Sequence, residues 1–423
     1  MYSHLWGTGA VRAVFDEPGR VQGWLDVLAA LARAQAAYGL VPQVAADQIS
    51  ALQAAQVDLD LAAGRTRATG HSTLGLIDAL RECLPAETHA HVYVGMTVQD
   101  LTDTWTATAL RVVLAEVRRD LLRIQDLALA LAVQHRDTVM AGRTHGQPGA
   151  PITFGWKVAS WADEVGRHLD RLSEGKNRWL VGQLGGGVGT LASQGPHAMA
   201  IRARFCAELG LADPGMAWLT SRDRIAEVTG VLAMITGTLA RIGGEVYELQ
   251  RPEIGELREG RAPGVVASIT MPHKRNPEGS EHLDTLARLV RANASVLLEG
   301  MVGGHERDGR SWKAEWVALP EVCLLSATAT SLAVDLLERL EVDADAMLTN
   351  LPPSAVSEQA LALLTPRLGK HAAQAALQSA LSSNTPVGLA LAELLHPAEL
   401  ARLGSDTGQS AAMIDLVVAR RRS

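Results

Sequence analysis

After Thr220, apolar residues recur at Ile225, Val228, Leu232, Ile235, Leu239, Ile242, Val246 and Leu249, alternately three and four positions apart without a break. That spacing is a heptad seam, which keeps one stripe of a long helix against its neighbours. Thr220, followed three residues later by Asp223, suggests a capping box at its start. A second stripe, Leu110, Val113, Leu114, Val117, Leu121 and Ile124, lies in a segment from about Leu101 to His135 with mostly Arg opposite. As a helix, that segment would reach roughly 50 Å at ~1.5 Å per residue. Phe154 to Trp179, Pro277 to Gly300 and Trp312 to Leu340 read as further long helices, so the pattern predicts an elongated helical bundle. Shorter helices broken by Gly and Pro come before and after it. The expected class is all-α, in three helical domains: 1–95, a central long-helix bundle 96–350, and 351–423.

Composition agrees with that reading and removes several functions. The 423 residues are 47% hydrophobic but only 4% aromatic, a balance that favours helix over sheet and can bury a large core. A net charge of −7, with only Arg420-Arg421-Arg422 locally basic, gives no footprint for nucleic acid. The chain opens on mixed polar and acidic sequence, and no stretch approaches ~20 uninterrupted apolar residues, so a cytoplasmic protein without a membrane partner is expected. Cys83, Cys206 and Cys323 are odd in number and far apart, which suggests neither a disulfide framework nor a zinc site. His89-Ala90-His91 is the nearest metal candidate and lacks a carboxylate or cysteine partner. The Gly185 to Thr190 run lacks the Gly-Lys-Ser/Thr ending of a phosphate loop, and Gly70 to Gly75 has one residue too many for a nucleophile elbow.

The chemistry concentrates in Ala267-Ser268-Ile269-Thr270-Met271-Pro272-His273-Lys274-Arg275-Asn276-Pro277. A hydroxyl, an ammonium and a carboxamide share one short loop ahead of a Pro that can open a helix. Lys274 and Asn276 can hold a carboxylate while Ser268 reaches a neighbouring C–H bond. The competing reading is a polar turn between helices.

The run resembles the Ser-Ser-x-Met-Pro-x-Lys-x-Asn-Pro loop of the fumarase/aspartase superfamily, which includes adenylosuccinate lyases and 3-carboxymuconate cycloisomerases. Ile269 and Ala267 replace the usual second serine and the preceding glycine. Gly95 to Thr104 is similar to that group's Thr-Ser-x-Asp region, with Val98 in place of serine, and Gly142 to Gln147 to its Thr-His-x-Gln region. The resemblance implies Ser268 as general base, His145 as general acid, Glu281 as the carboxylate that orients its imidazole, and Lys274 as stabiliser of developing charge. Substrate contacts would come from Thr97, Gln99, Thr144, Gln147, Met271, Asn276 and Arg307. His71 is similarly placed to a second active-site histidine of adenylosuccinate lyases, against a capping or surface role. A serine base needs strong electrostatic help, and a histidine bonded to a carboxylate can deliver a proton near neutral pH. The reaction implied is anti β-elimination of an amine or other heteroatom group from a substituted succinate to give fumarate. It needs no cofactor or metal, and its sites are shared within a homotetramer.

Five and nine residues after Arg307, where adenylosuccinate lyases bind the nucleotide phosphate, stand Trp312 and Trp316. An indole has one N–H and no charge, so a nucleotide substrate is disfavoured. The pattern from Arg307 to Leu319-Pro320-Glu321 resembles the cycloisomerase branch, which keeps lactonisation of 3-carboxy-cis,cis-muconate as an alternative. A non-catalytic tetrameric scaffold is the second alternative.

Overall fold

A computed structural model describes residues 6–71, 73–262, 264–266, 268–271, 273–383 and 385–422. Ser72, Ala267 and Pro272, members of the motifs above, lie outside the described residues. Helix dominates, and the two small antiparallel strand pairs leave the class all-α.

The five long helices are Val98–Gln134, Phe154–Trp179, Asp223–Leu249, Glu278–Glu299 and Gly309–Glu338. Their seams are inside: Val228, Leu232, Ile235 and Val246 on one, and Val113, Val117, Leu121 and Ile124 on another, are fully buried. Burial along the whole length explains why helices this long persist, since packing of an apolar face rather than intrinsic propensity supplies most helix stability. Asp223–Leu249 and Gly309–Glu338 are long and apolar enough to cross a membrane, yet 61% and 56% of their most apolar windows are buried inside the protein. A core helix passes the same length and hydropathy test.

Two helix starts differ from expectation. Thr220 forms no capping box; its hydroxyl donates to the His305 carbonyl at 3.0 Å. The first bonds of the Asp223 helix go to the Arg222 carbonyl, and the Arg222 side chain joins a buried cluster with Asp103 and Glu315. Pro277 precedes its helix instead of opening it: its carbonyl accepts from the Glu281 N–H at 3.0 Å, and a proline lacking its own N–H loses nothing there.

Contacts divide the chain into two compact units. One comprises residues up to Asp120, Leu169–Gly237 and Thr285–Ser331; the other comprises Leu121–His168, Thr238–Asp284 and the chain from Leu332. The first carries the N-terminal helices, of which Glu17–Ala36 begins on the Asp16 carboxylate, an acceptor for the Gly19 N–H at 2.8 Å. The second carries a hairpin, β1 (Val139–Thr144) with β2 (Gln147–Thr153), and a C-terminal helix pair, Ser357–Leu368 and Lys370–Ser382, around Ala360, Leu364, Ala373 and Leu377.

Candidate active site

In the first unit, Thr97 caps the Val98 helix. Its N–H donates to Asp100 Oδ2 at 3.0 Å, and the same carboxylate accepts from the Gly185 and Gly186 N–H groups at 3.0 and 2.8 Å. This explains the Gly-rich run. A Cβ on Gly185 would lie 2.9 Å from the Gly189 Cα, and Gly186 has a φ of +74°, so neither tolerates a side chain without strain. Asp100 has no exposed surface, and burial pushes its pKa up to about 7, against three backbone donors that favour its charged form.

The Thr97 hydroxyl is directed to Arg307. Its oxygen accepts from Arg307 at 2.6 Å, which leaves its own proton to donate. Thr97 lines a cavity of about 360 Å³ with His71, Thr73, Arg81 and Tyr93. His71 does act as a cap: its Nδ1 accepts from the Leu74 N–H at 3.2 Å at the start of the Leu74–Glu82 helix, which puts the ring proton on Nε2. It lines the cavity as well. Tyr93, with a left-handed φ of 67°, was invisible in the sequence because nothing about an isolated tyrosine signals a positive φ. Burial raises its pKa, so it stays a neutral donor. Gln99 does not line this cavity; it is fully buried and donates to the Leu219 carbonyl at 2.6 Å.

In the second unit, His145 and Gly146 are the two central residues of the β1–β2 turn, with φ of 53° and 73° and Thr144 paired to Gln147. Two positive φ values make a type I′ turn, which matches the twist of the flanking strands. Thr144, His145 and Gln147 are therefore all exposed at the tip. The hairpin is anchored by Arg143, whose guanidinium makes two bonds, of 2.9 and 2.5 Å, to Glu256, a carboxylate with no exposed surface that also accepts from Asn350. The His145 imidazole has no hydrogen bond among the described residues, so the expected contact with Glu281 is not made within one chain.

Lys274, Asn276 and Glu281 do come together. They line a cavity of about 840 Å³ with Arg251, Arg258, His273 and Arg275. The Arg251 and Arg275 guanidinium groups have carboxylate partners, whereas Lys274 and Arg258 have none among the described residues. A cavity with two uncommitted cations suits a dianion. Glu281 enters it from the first turn of the Glu278 helix, whose start is capped by Glu259 through bonds from the Gly279 and Ser280 N–H groups at 3.0 and 2.8 Å. Gln250 ties the loop's two ends, accepting from the Glu259 N–H at 2.6 Å and donating to the Arg275 carbonyl at 3.0 Å.

Ser268 does not line this cavity. Its Oγ accepts from the Met271 N–H at 3.0 Å, and the Met271 carbonyl accepts from the Lys274 N–H at 2.9 Å. The serine oxygen thus sits over a backbone donor, an arrangement that favours negative charge on it. Around it the loop is exposed: Ile269 is 95% and Met271 43% accessible, with nothing among the described residues to cover them.

Arg258, Gln250 and Glu259 were not singled out from the sequence. They lie before the recognised loop and gain meaning only when the chain folds back on it.

A family model described as lyase matches residues 7–292. The chain is 38% identical to N-acetyl-S-(2-succino)cysteine lyase of Dickeya dadantii, over 87% of this chain and 82% of that protein. It is 41% identical to 3-carboxy-cis,cis-muconate cycloisomerase of Pseudomonas aeruginosa, over 86% and 81%. The crystal structure of the 3-carboxy-cis,cis-muconate lactonizing enzyme from Pseudomonas putida superposes with a TM-score of 0.91 at 33% identity, covering 100% of this chain and 99% of that one. The motifs, the long-helix architecture and these relatives agree: the chain belongs to the lyase family of the fumarase/aspartase superfamily.

Proposed function

We propose that the protein is a lyase that eliminates a heteroatom group, a thiol or an amine, from a 2-substituted succinate to release fumarate. The observation that carries this reading is the Ser268–Lys274 loop: a serine oxygen held on a backbone N–H, followed by an uncommitted ammonium in a cationic cavity. Ser268 removes the proton from C3 of the substrate. Those electrons form the C2–C3 double bond as the bond from C2 to the heteroatom breaks, and His145 in its protonated form gives that atom a proton. The products are fumarate and the free thiol or amine. Lys274 and Asn276 hold the carboxylate next to C3, where charge grows in the transition state, so they stabilise it more than the bound substrate. Thr97 and Arg307 are suited to a carboxylate, and Thr144, Gln147 and Met271 to further substrate contacts.

A homotetramer supplies what one chain lacks. His145 has no hydrogen bond among the described residues at its hairpin tip, and apolar side chains such as Leu289, Leu298, Val302 and Val317 are exposed on or beside the long helices, as expected of surfaces that meet other copies. Glu281 of another copy then orients His145. A cytoplasmic enzyme fits this reaction. The relative named N-acetyl-S-(2-succino)cysteine lyase supports a sulfur leaving group.

The second reading is lactonisation of 3-carboxy-cis,cis-muconate, supported by the 41% identical cycloisomerase. Incubation with S-(2-succinyl) thioethers and N-substituted aspartates, followed by fumarate quantification, tests the first reading. Loss of 3-carboxymuconate absorbance with no fumarate from any of these compounds would favour the second.

A further inference from the structure

Within the first unit lies a cavity of about 220 Å³ walled by Phe15, Trp24, Trp105, Trp312 and Trp316, with Arg20 at its side. Four of the chain's nine tryptophans therefore meet at one space. The rings pack edge to face, Trp24 on Trp105 at 6.4 Å and Trp312 on Trp316 at 4.9 Å, which leaves ring faces for an inserted ring.

The charges in this space are unequal in their commitments. Asp103 and Glu315 also line it, but both carboxylates accept two hydrogen bonds from Arg222, a guanidinium with 2% of its side chain exposed. Arg20 has no such partner. Its guanidinium lies 5.3 Å over the Trp105 ring and forms no ion pair among the described residues, and its Nε is buried without an acceptor. The Trp24 indole N–H is likewise buried without an acceptor. Burial lowers the pKa of Arg20, so its charge is held in an unfavourable place with only Glu17 acting in its favour. An anion beside it would relieve that cost, because a charge-assisted bond to guanidinium is among the stronger hydrogen bonds.

We propose that this cavity is a binding site for a single-ring aromatic carboxylate, with the ring among the indoles and the carboxylate on Arg20. The volume lies below the ~300–1,000 Å³ typical of drug-sized ligands, which limits the occupant to one ring. The site shares no lining residue with the cavity at Thr97, although Arg307, which bonds Thr97, lies 5.6 Å over the ring of Trp312, a wall of this one. The proposal does not depend on the elimination reaction.

Titration of the full-length protein with benzoate, read by tryptophan fluorescence, tests it. Saturable quenching with a dissociation constant below about 1 mM is expected, and uncharged benzamide should bind about 10- to 100-fold more weakly. Arg20→Gln should weaken benzoate by a similar factor and leave benzamide unchanged, and saturating fumarate should not displace benzoate. A non-saturable response, equal binding by Arg20→Gln, or competition with fumarate would overturn the proposal. If Arg20→Gln fails to fold, a crystal of the unaltered protein soaked in 4-iodobenzoate decides. An iodine peak among Trp24, Trp105 and Trp316 supports the site, and its absence there refutes it.

Discussion

Arg307 donates a hydrogen bond to the Thr97 hydroxyl at 2.6 Å, joining residues 210 positions apart in the sequence. With its N–H held by Asp100, Thr97 has a hydroxyl that can accept from Arg307 and donate to a carboxylate at once. Arg307→Gln should therefore lower kcat/KM for fumarate formation about 10- to 100-fold, the worth of a charged hydrogen bond, chiefly through KM. Steady-state kinetics checks this, with the melting temperature as control, since Arg307 is half-buried and not part of the core.

His145→Asn should separate chemistry from folding. Asparagine tolerates the left-handed conformation, and Asn-Gly is a favoured type I′ pair, so the hairpin and the melting temperature should be retained. A general acid typically contributes ~10²- to 10⁴-fold, and kcat should fall by that amount for substrates with poor leaving groups. A loss of activity accompanied by unfolding would count against the assigned role.

The buried cluster of Arg222 with Asp103 and Glu315 should be stability-critical. Arg222→Met strands two carboxylates with 3% and 6% of their side chains exposed, at a cost of about 3–5 kcal/mol. Urea denaturation should show a lower midpoint with an unchanged slope.

Asp100 should give stability a pH dependence of a particular sign. Its pKa is about 7 when folded and near 3.8 when unfolded, so between these values the native state binds the extra proton. Its contribution is fully present below about pH 4 and falls as pH rises towards 7. Asp100→Asn should remove that fall, so the denaturation midpoint of the unaltered protein should drop relative to that of the variant as pH rises from about 4 to 7.

How much of this was legible in the sequence varied with the range of the interaction. The seams from Ile225 to Leu249 and from Leu110 to Ile124 could be read because burial repeats at a fixed local spacing, and Phe154–Trp179 has the expected bounds. The Lys274 and Asn276 pairing was legible for the same reason, since two positions apart in one loop stay neighbours, whereas their sharing a cavity with Glu281 was not expected. Gln99 was misplaced because a polar residue beside a motif looks available, whereas its side chain turns inward to Leu219. Arg258, Tyr93 and the aromatic cavity depend on contacts between distant segments, and no local pattern announces them. The unpaired His145 marks the same limit one level higher, because its expected partner is not supplied by its own chain.

The measurement closest to the central claim is fumarate release from a 2-substituted succinate panel by the protein and by Ser268→Ala. The account predicts fumarate in equal amount to the released thiol or amine, and a loss of at least ~10²-fold in the variant with its oligomeric state retained. No fumarate from any member of the panel, or an undiminished rate in Ser268→Ala, would contradict it.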